Sequence, residues 1–165
     1  MLLPLFAWLE GMYNAMLQSP LGVATNLSVW LFASVQAVHL LTLVVVGCAV
    51  LVVDLRLLGL GLRDQPVSEI AREAQPWLVW GLVGQVASGI PLFVSLAASK
   101  YYDSPAFWLK MYLVAAAILF AFTVRRLVVT GSERRASGAA ARAVGLVSIL
   151  LWSGVGIMAK AIGYY

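Results

Sequence analysis

Formal charge is absent from Gly11 to Val53, a stretch without a single Asp, Glu, Lys or Arg. It is scarce elsewhere too: 11% of the 165 residues carry charge, against 62% that are hydrophobic. A soluble domain runs at about 25% charged and roughly 45–50% apolar residues. No water-soluble fold of this length buries so much apolar surface, so lipid is the solvent for most of the chain. The mean hydropathy of +0.94 points the same way. Cysteine and histidine are rarer still, at one each. Cys48 alone cannot close an intrachain disulfide, so cysteine usage says nothing of redox compartment. His39 alone excludes bis-His ligation within one chain. The sequence has no Walker loop, metal-ligand cluster or nucleophile–base arrangement, which argues against a self-sufficient ATPase or hydrolase.

What is present is a succession of apolar runs separated by short polar connections. The pattern predicts an all-α fold, an integral membrane four-helix bundle preceded by an N-terminal amphipathic helix. Residues 1–27 form the leading segment. Leu2, Leu5, Phe6, Leu9, Met12, Tyr13 and Met16 recur at helical spacing, with Glu10, Asn14 and Gln18 on the other face. This stretch is too interrupted to span, so it is expected to lie in the interface, joined by a linker over 18–26 containing Pro20 and Gly22. The membrane domain covers 28–165, with spans at about 28–53, 76–98, 106–130 and 140–163. Each is long enough for a hydrocarbon core of about 30 Å at about 1.5 Å per residue. Gln65-Pro66 should open a short surface helix before the second span, and Pro91 should kink that span. The first residues lack a Lys/Arg n-region, so insertion is expected to depend on the spans themselves.

The basic residues give orientation. The connections after spans one and three, with the adjoining span ends, hold Arg56, Arg63, Arg72, Arg125, Arg126, Arg134, Arg135 and Arg142. The opposite side holds Lys100, Lys110 and Lys160. The cytoplasmic side is enriched in Lys and Arg, so both termini are expected on the outer, periplasmic side of a bacterial inner membrane. The net charge of +4 is therefore topology signal and not a phosphate-binding stripe, and no nucleic-acid partner is expected.

Polar residues inside the spans carry what functional signal there is. His39 sits mid-span, with Gln36 one turn before it, Thr42 after it and Gln85 at similar depth in span two. An ionisable residue within a membrane is a functional-site hypothesis, because burying it costs free energy unless it has a partner. Imidazole ligates haem and metals, so His39 with Gln36, Gln85 and Met158 outlines a contact for haem b or a quinone. The alternative is a neutral imidazole held by Gln85 or a serine, with no cofactor. Asp54 closes span one, where a carboxylate opposes the helix dipole, and it should pair with Arg56, Arg125 or Arg126. Lys110 and Lys160, near Asp103 and Tyr102, are either snorkelling anchors or an outer pocket for a quinone or anionic headgroup.

One pattern is set aside on context. Gly154-Val155-Gly156-Ile157-Met158-Ala159 fits G-x-G-x-x-A but follows no strand and lies in a span. Its small residues suit helix packing, as do Gly84-x-x-x-Ser88, Ala117-x-x-x-Ala121 and Ala159-x-x-x-Gly163.

His39-Leu40-Leu41 and Val53-Asp54-Leu55-Arg56-Leu57-Leu58-Gly59 carry a resemblance. It continues through Pro76-Trp77, Gly89-Ile90-Pro91-Leu92-Phe93, the run from Tyr101 to Phe107, and Lys110. The chain resembles a family of bacterial inner-membrane proteins catalogued as a domain of unknown function. The resemblance implies a four-helix membrane protein, often with an Arg near the end of the last span, where this chain has Lys160. Short loops and small-residue stripes favour an accessory subunit of a larger membrane complex, in contact with lipid and with other subunits or a second copy. An electron-transfer subunit using His39 is the alternative. A small transporter using His39, Gln85 and Asp54 is a weaker one.

Overall fold

The computed structural model describes residues 11, 14–62, 64–95, 104–131 and 138–164. Among these, every regular element is helical. A short α1 (Pro20–Leu27) leads into α2 (Val29–Leu58), α3 (Val67–Val94), α4 (Pro105–Val129) and α5 (Ala139–Ala161), which ends in a 3₁₀ turn at Ile162–Tyr164. The four long helices have 30, 28, 25 and 23 residues, each enough to cross a bilayer. The protein is a multi-pass membrane protein.

Most of the expected interfacial helix lies outside the described residues. The expected linker over 18–26 is instead largely α1. The Ser19 hydroxyl caps it by accepting from Gly22 N–H at 3.1 Å, and Pro20 occupies the first turn, where a missing donor costs nothing.

At 30 residues α2 is about 45 Å long, longer than a hydrocarbon core, so it tilts or emerges. Ser28 caps its start through Leu31 N–H. Its end is a Schellman motif: Gly59 N–H donates to Arg56 O and Leu60 N–H to Leu55 O. Gly59 has φ 75°, a left-handed conformation that glycine adopts without steric cost.

The second span differs from expectation. No separate surface helix precedes Pro76; α3 runs unbroken from Val67 through both Pro76 and Pro91. Each proline removes one backbone donor, and the neighbouring helices hold the rest of the turn in place.

Packing is uneven. α2 is central, lying along α3 on one side and α5 on the other, while α4 packs mainly on α5 and touches α3 near Arg126–Val129 and again where Phe107 stacks on Phe93. The buried core gathers at the arginine-rich end, around Val46, Val50, Val53, Leu57, Ile70 and Val129. Leu41, Val44, Trp77, Trp80, Leu119 and Leu150 are exposed on the outside of the bundle, where lipid receives them.

Candidate functional site

Two polar centres lie within the bundle, one at each half. The first is built where α2 and α3 come closest. Val46 meets Gly81, Thr42 meets Gly84 and Gln85, and His39 meets Ser88, a register that steps in opposite directions along the two helices. The contact needs glycine. A Cβ on Gly81 would stand 2.7 Å from Val46 Cγ2, and one on Gly84 would stand 2.5 Å from Thr42 Cγ2. Small residues let the backbones approach, and the polar groups then bond between helices.

Gln85 Nε2 donates to the His39 carbonyl at 2.7 Å and to Thr42 Oγ1 at 3.1 Å. The His39 ring takes a different partner: its Nδ1 lies 2.9 Å from Ser88 Oγ. That serine favours one tautomer. Its hydroxyl lies 2.6 Å from the Gly84 carbonyl, and with its proton given there the oxygen accepts the Nδ1–H of His39 and Nε2 carries the lone pair. Nε2 has no hydrogen-bond partner among the described residues, and the residue is half-buried. A ring nitrogen freed in this way is the arrangement that ligating histidines use, with the other N–H held by a fixed acceptor.

Lys110 enters the same half from α4. It is half-buried on the helix face that carries Phe107 and Ala117, and its ammonium is near enough for its charge to act on His39. Phe107 stacks on Phe93 of α3 at 5.7 Å between ring centroids. Gly89, one turn before Phe93, faces His39 Cε1.

Of the residues expected around His39, the structure brings in Gln85 through the backbone carbonyl. Gln36 is exposed, and Met158 is half-buried on α5. Neither hydrogen bonds to the imidazole among the described residues. Asp103 lies outside the described residues, and Lys160 is exposed at the end of α5. Ser88 stood in the sequence only as a packing residue. Its spacing of three from Gln85 on one helix face was the available signal.

The second centre joins α2 to α4. Asp54 is fully buried and Arg125 is 6% exposed. Arg125 Nε donates to Asp54 Oδ1 at 2.9 Å, and its Nη2 donates to the Val50 carbonyl at 3.2 Å. Of the three arginines expected as partners, Arg125 is the one used. Arg56 instead holds the following loop, donating from Nε to the Gln65 carbonyl at 2.9 Å, and Arg126 is exposed. Ser148 of α5 adjoins the carboxylate electrostatically. Its hydroxyl and Asp54 Oδ2 are both buried without a hydrogen-bond partner among the described residues.

A π-helical turn at Ala121–Arg125 makes this geometry possible. Ala117, Ala121, Arg125 and Val129 are all buried at intervals of four. In an α-helix each such step drifts by about 40° around the axis. One wider turn absorbs the drift and keeps Arg125 aimed at α2, and such π-bulges recur at functional sites.

With the geometry in place, the comparisons add the family. The match to the family of unknown function DUF6644 runs over residues 8–165. The chain belongs to that family. No curated protein and no solved structure matched it. The structure gives physical reasons for the run Asp54-Leu55-Arg56-Leu57-Leu58-Gly59 in this DUF6644 chain. Asp54 anchors α4, Arg56 holds the loop, Leu57 fills the core and Gly59 closes the helix.

Proposed function

We propose that the protein is a non-enzymatic accessory subunit of a larger membrane complex. The observation that supports it is the His39 ring. A polar nitrogen inside a membrane span that no described residue partners calls for one, because lipid offers none, and a neighbouring subunit would supply it. Three other polar side chains of the spans support the same reading. Asp54, Arg125 and Gln85 are committed to helix–helix contacts, as befits a scaffold. The described connection between α2 and α3 is a short loop, too small for an extramembrane catalytic domain. In this reading the arginine-rich end faces the cytoplasm of a bacterium and both termini face outward, on the strength of eight arginines against three lysines.

A second reading has its own support in the tautomer. A fixed Nδ1–H with a bare Nε2 suits axial ligation of haem b or a hydrogen bond from a quinol, which would make the chain an electron-transfer subunit. One preparation separates the two. Native protein, gently solubilised, is identified with its partners by mass spectrometry, and its spectrum is recorded oxidised and dithionite-reduced. A colourless preparation that travels with a larger complex, and leaves it in His39→Ala, supports the accessory subunit. A Soret band stoichiometric with the chain and lost in His39→Ala would move the protein to electron transfer.

A further inference from the structure

A cavity of about 370 Å³ opens at the arginine-rich end, between α3 and α4 beside their contact at Arg126–Val129. The volume falls within the range of small-ligand sites, about 300–1,000 Å³. Its floor is apolar, made by Ala49, Val53 and Leu78, and its rim is polar and basic. Arg72, Arg125 and Arg126 line it together with Ser68, Gln75 and Thr130, and no carboxylate is among the lining residues. Arg125 is spoken for by Asp54. Arg126 has no carboxylate partner among the described residues. Arg72 reaches Glu69 only at 3.7 Å, both side chains being exposed, a pairing worth little in water. Two guanidiniums are therefore available at the mouth of a cavity whose interior is hydrocarbon-like.

We propose that this cavity binds the phosphate of an anionic phospholipid, with the acyl chains lying in the cleft between α3 and α4. Guanidinium matches phosphate in bidentate geometry, and the serine, glutamine and threonine supply neutral hydrogen bonds around it. The position is where a headgroup sits: at the ends of spanning helices, beside the basic loop signal that draws anionic lipid. An apolar floor suits a chain-bearing ligand and not a free ion. The π-helical turn contributes here too, because it sends Arg125 inward to Asp54 while its neighbour Arg126 stays at the rim. This inference does not depend on His39.

The test uses the full chain in detergent, titrated with phosphatidylglycerol and with phosphatidylcholine and read by native mass spectrometry. The expected result is selective retention of phosphatidylglycerol. Arg72→Gln and Arg126→Gln should each weaken it about fivefold and together roughly thirtyfold. Arg142→Gln removes an arginine from the same end but outside the cavity, and should leave retention unchanged. Equal retention of the two lipids by the unaltered chain would overturn the proposal, with no variant needed. So would equal loss in Arg142→Gln and the double variant. Displacement of phosphatidylglycerol by inorganic phosphate at equal concentration would overturn it as well, by showing a site for free anions.

Discussion

Arg125 on α4 reaches across to Asp54 on α2 at 2.9 Å, and the pair is the one charged contact among the described residues that lies inside the bundle. Its two members are 71 positions apart in sequence, so it ties the second half of the chain to the first. A buried pair contributes little net stability when intact, but loses much when halved, because the survivor is left uncompensated.

Arg125→Gln or Asp54→Leu alone should therefore destabilise the solubilised protein by about 3–5 kcal/mol. The double variant Asp54→Leu/Arg125→Met should recover most of the loss. Thermal melts in one detergent check this, and a double variant no better than the worse single one would mean the pair is not coupled.

Asp54 announced itself, since a carboxylate at a helix C-terminus needs a cation. Which arginine answers could not be read, because Arg125 and Arg126 are adjacent on one helix, about a quarter-turn apart, and a π-helical turn decides between them. The spacing of four through Ala117, Ala121, Arg125 and Val129 was the trace of that turn. The long apolar spans were legible for the plain reason that hydropathy dominates their energetics. Pro76 misled, because in isolation it ends a helix, whereas here it sits within one that neighbours support. Lys110 was expected beside Asp103. Its proximity to His39 depends on how α4 leans, which no local pattern encodes.

The α2–α3 seam should be intolerant of added volume. Gly84→Val would drive side-chain carbons into Thr42, and overpacking of this kind costs about 1–3 kcal/mol. Gly156→Ala is the control: a Cβ there meets nothing within 4 Å, and helix propensity should make the change neutral or stabilising by roughly 0.5–1 kcal/mol. Melting temperatures that fall equally in both would contradict the close approach.

Gly59→Ala should cost about 1 kcal/mol, since alanine in the left-handed region strains its backbone. The loss should appear as lowered stability with unchanged helix content by circular dichroism. An unaffected melt would mean that the Schellman turn is not maintained.

Orientation is open to direct labelling. With Cys48 replaced by serine, a cysteine at Gln65 should react with an impermeant maleimide in a bacterial host only after the membrane is opened. One at Asn26 should react in intact cells. The reverse pattern would invert the topology drawn from the arginine count.

In the proposed arrangement Ser88 holds His39 with Nδ1 protonated and Nε2 bare, open to a partner or ligand. Because His39 is the sole histidine, nitrogen-15 histidine labelling gives one imidazole to observe by solid-state NMR in bilayers. At neutral pH the ring should show a protonated Nδ1 and a non-protonated Nε2, and Ser88→Ala should abolish that preference. A protonated Nε2 with a bare Nδ1, or an imidazolium, would contradict the account.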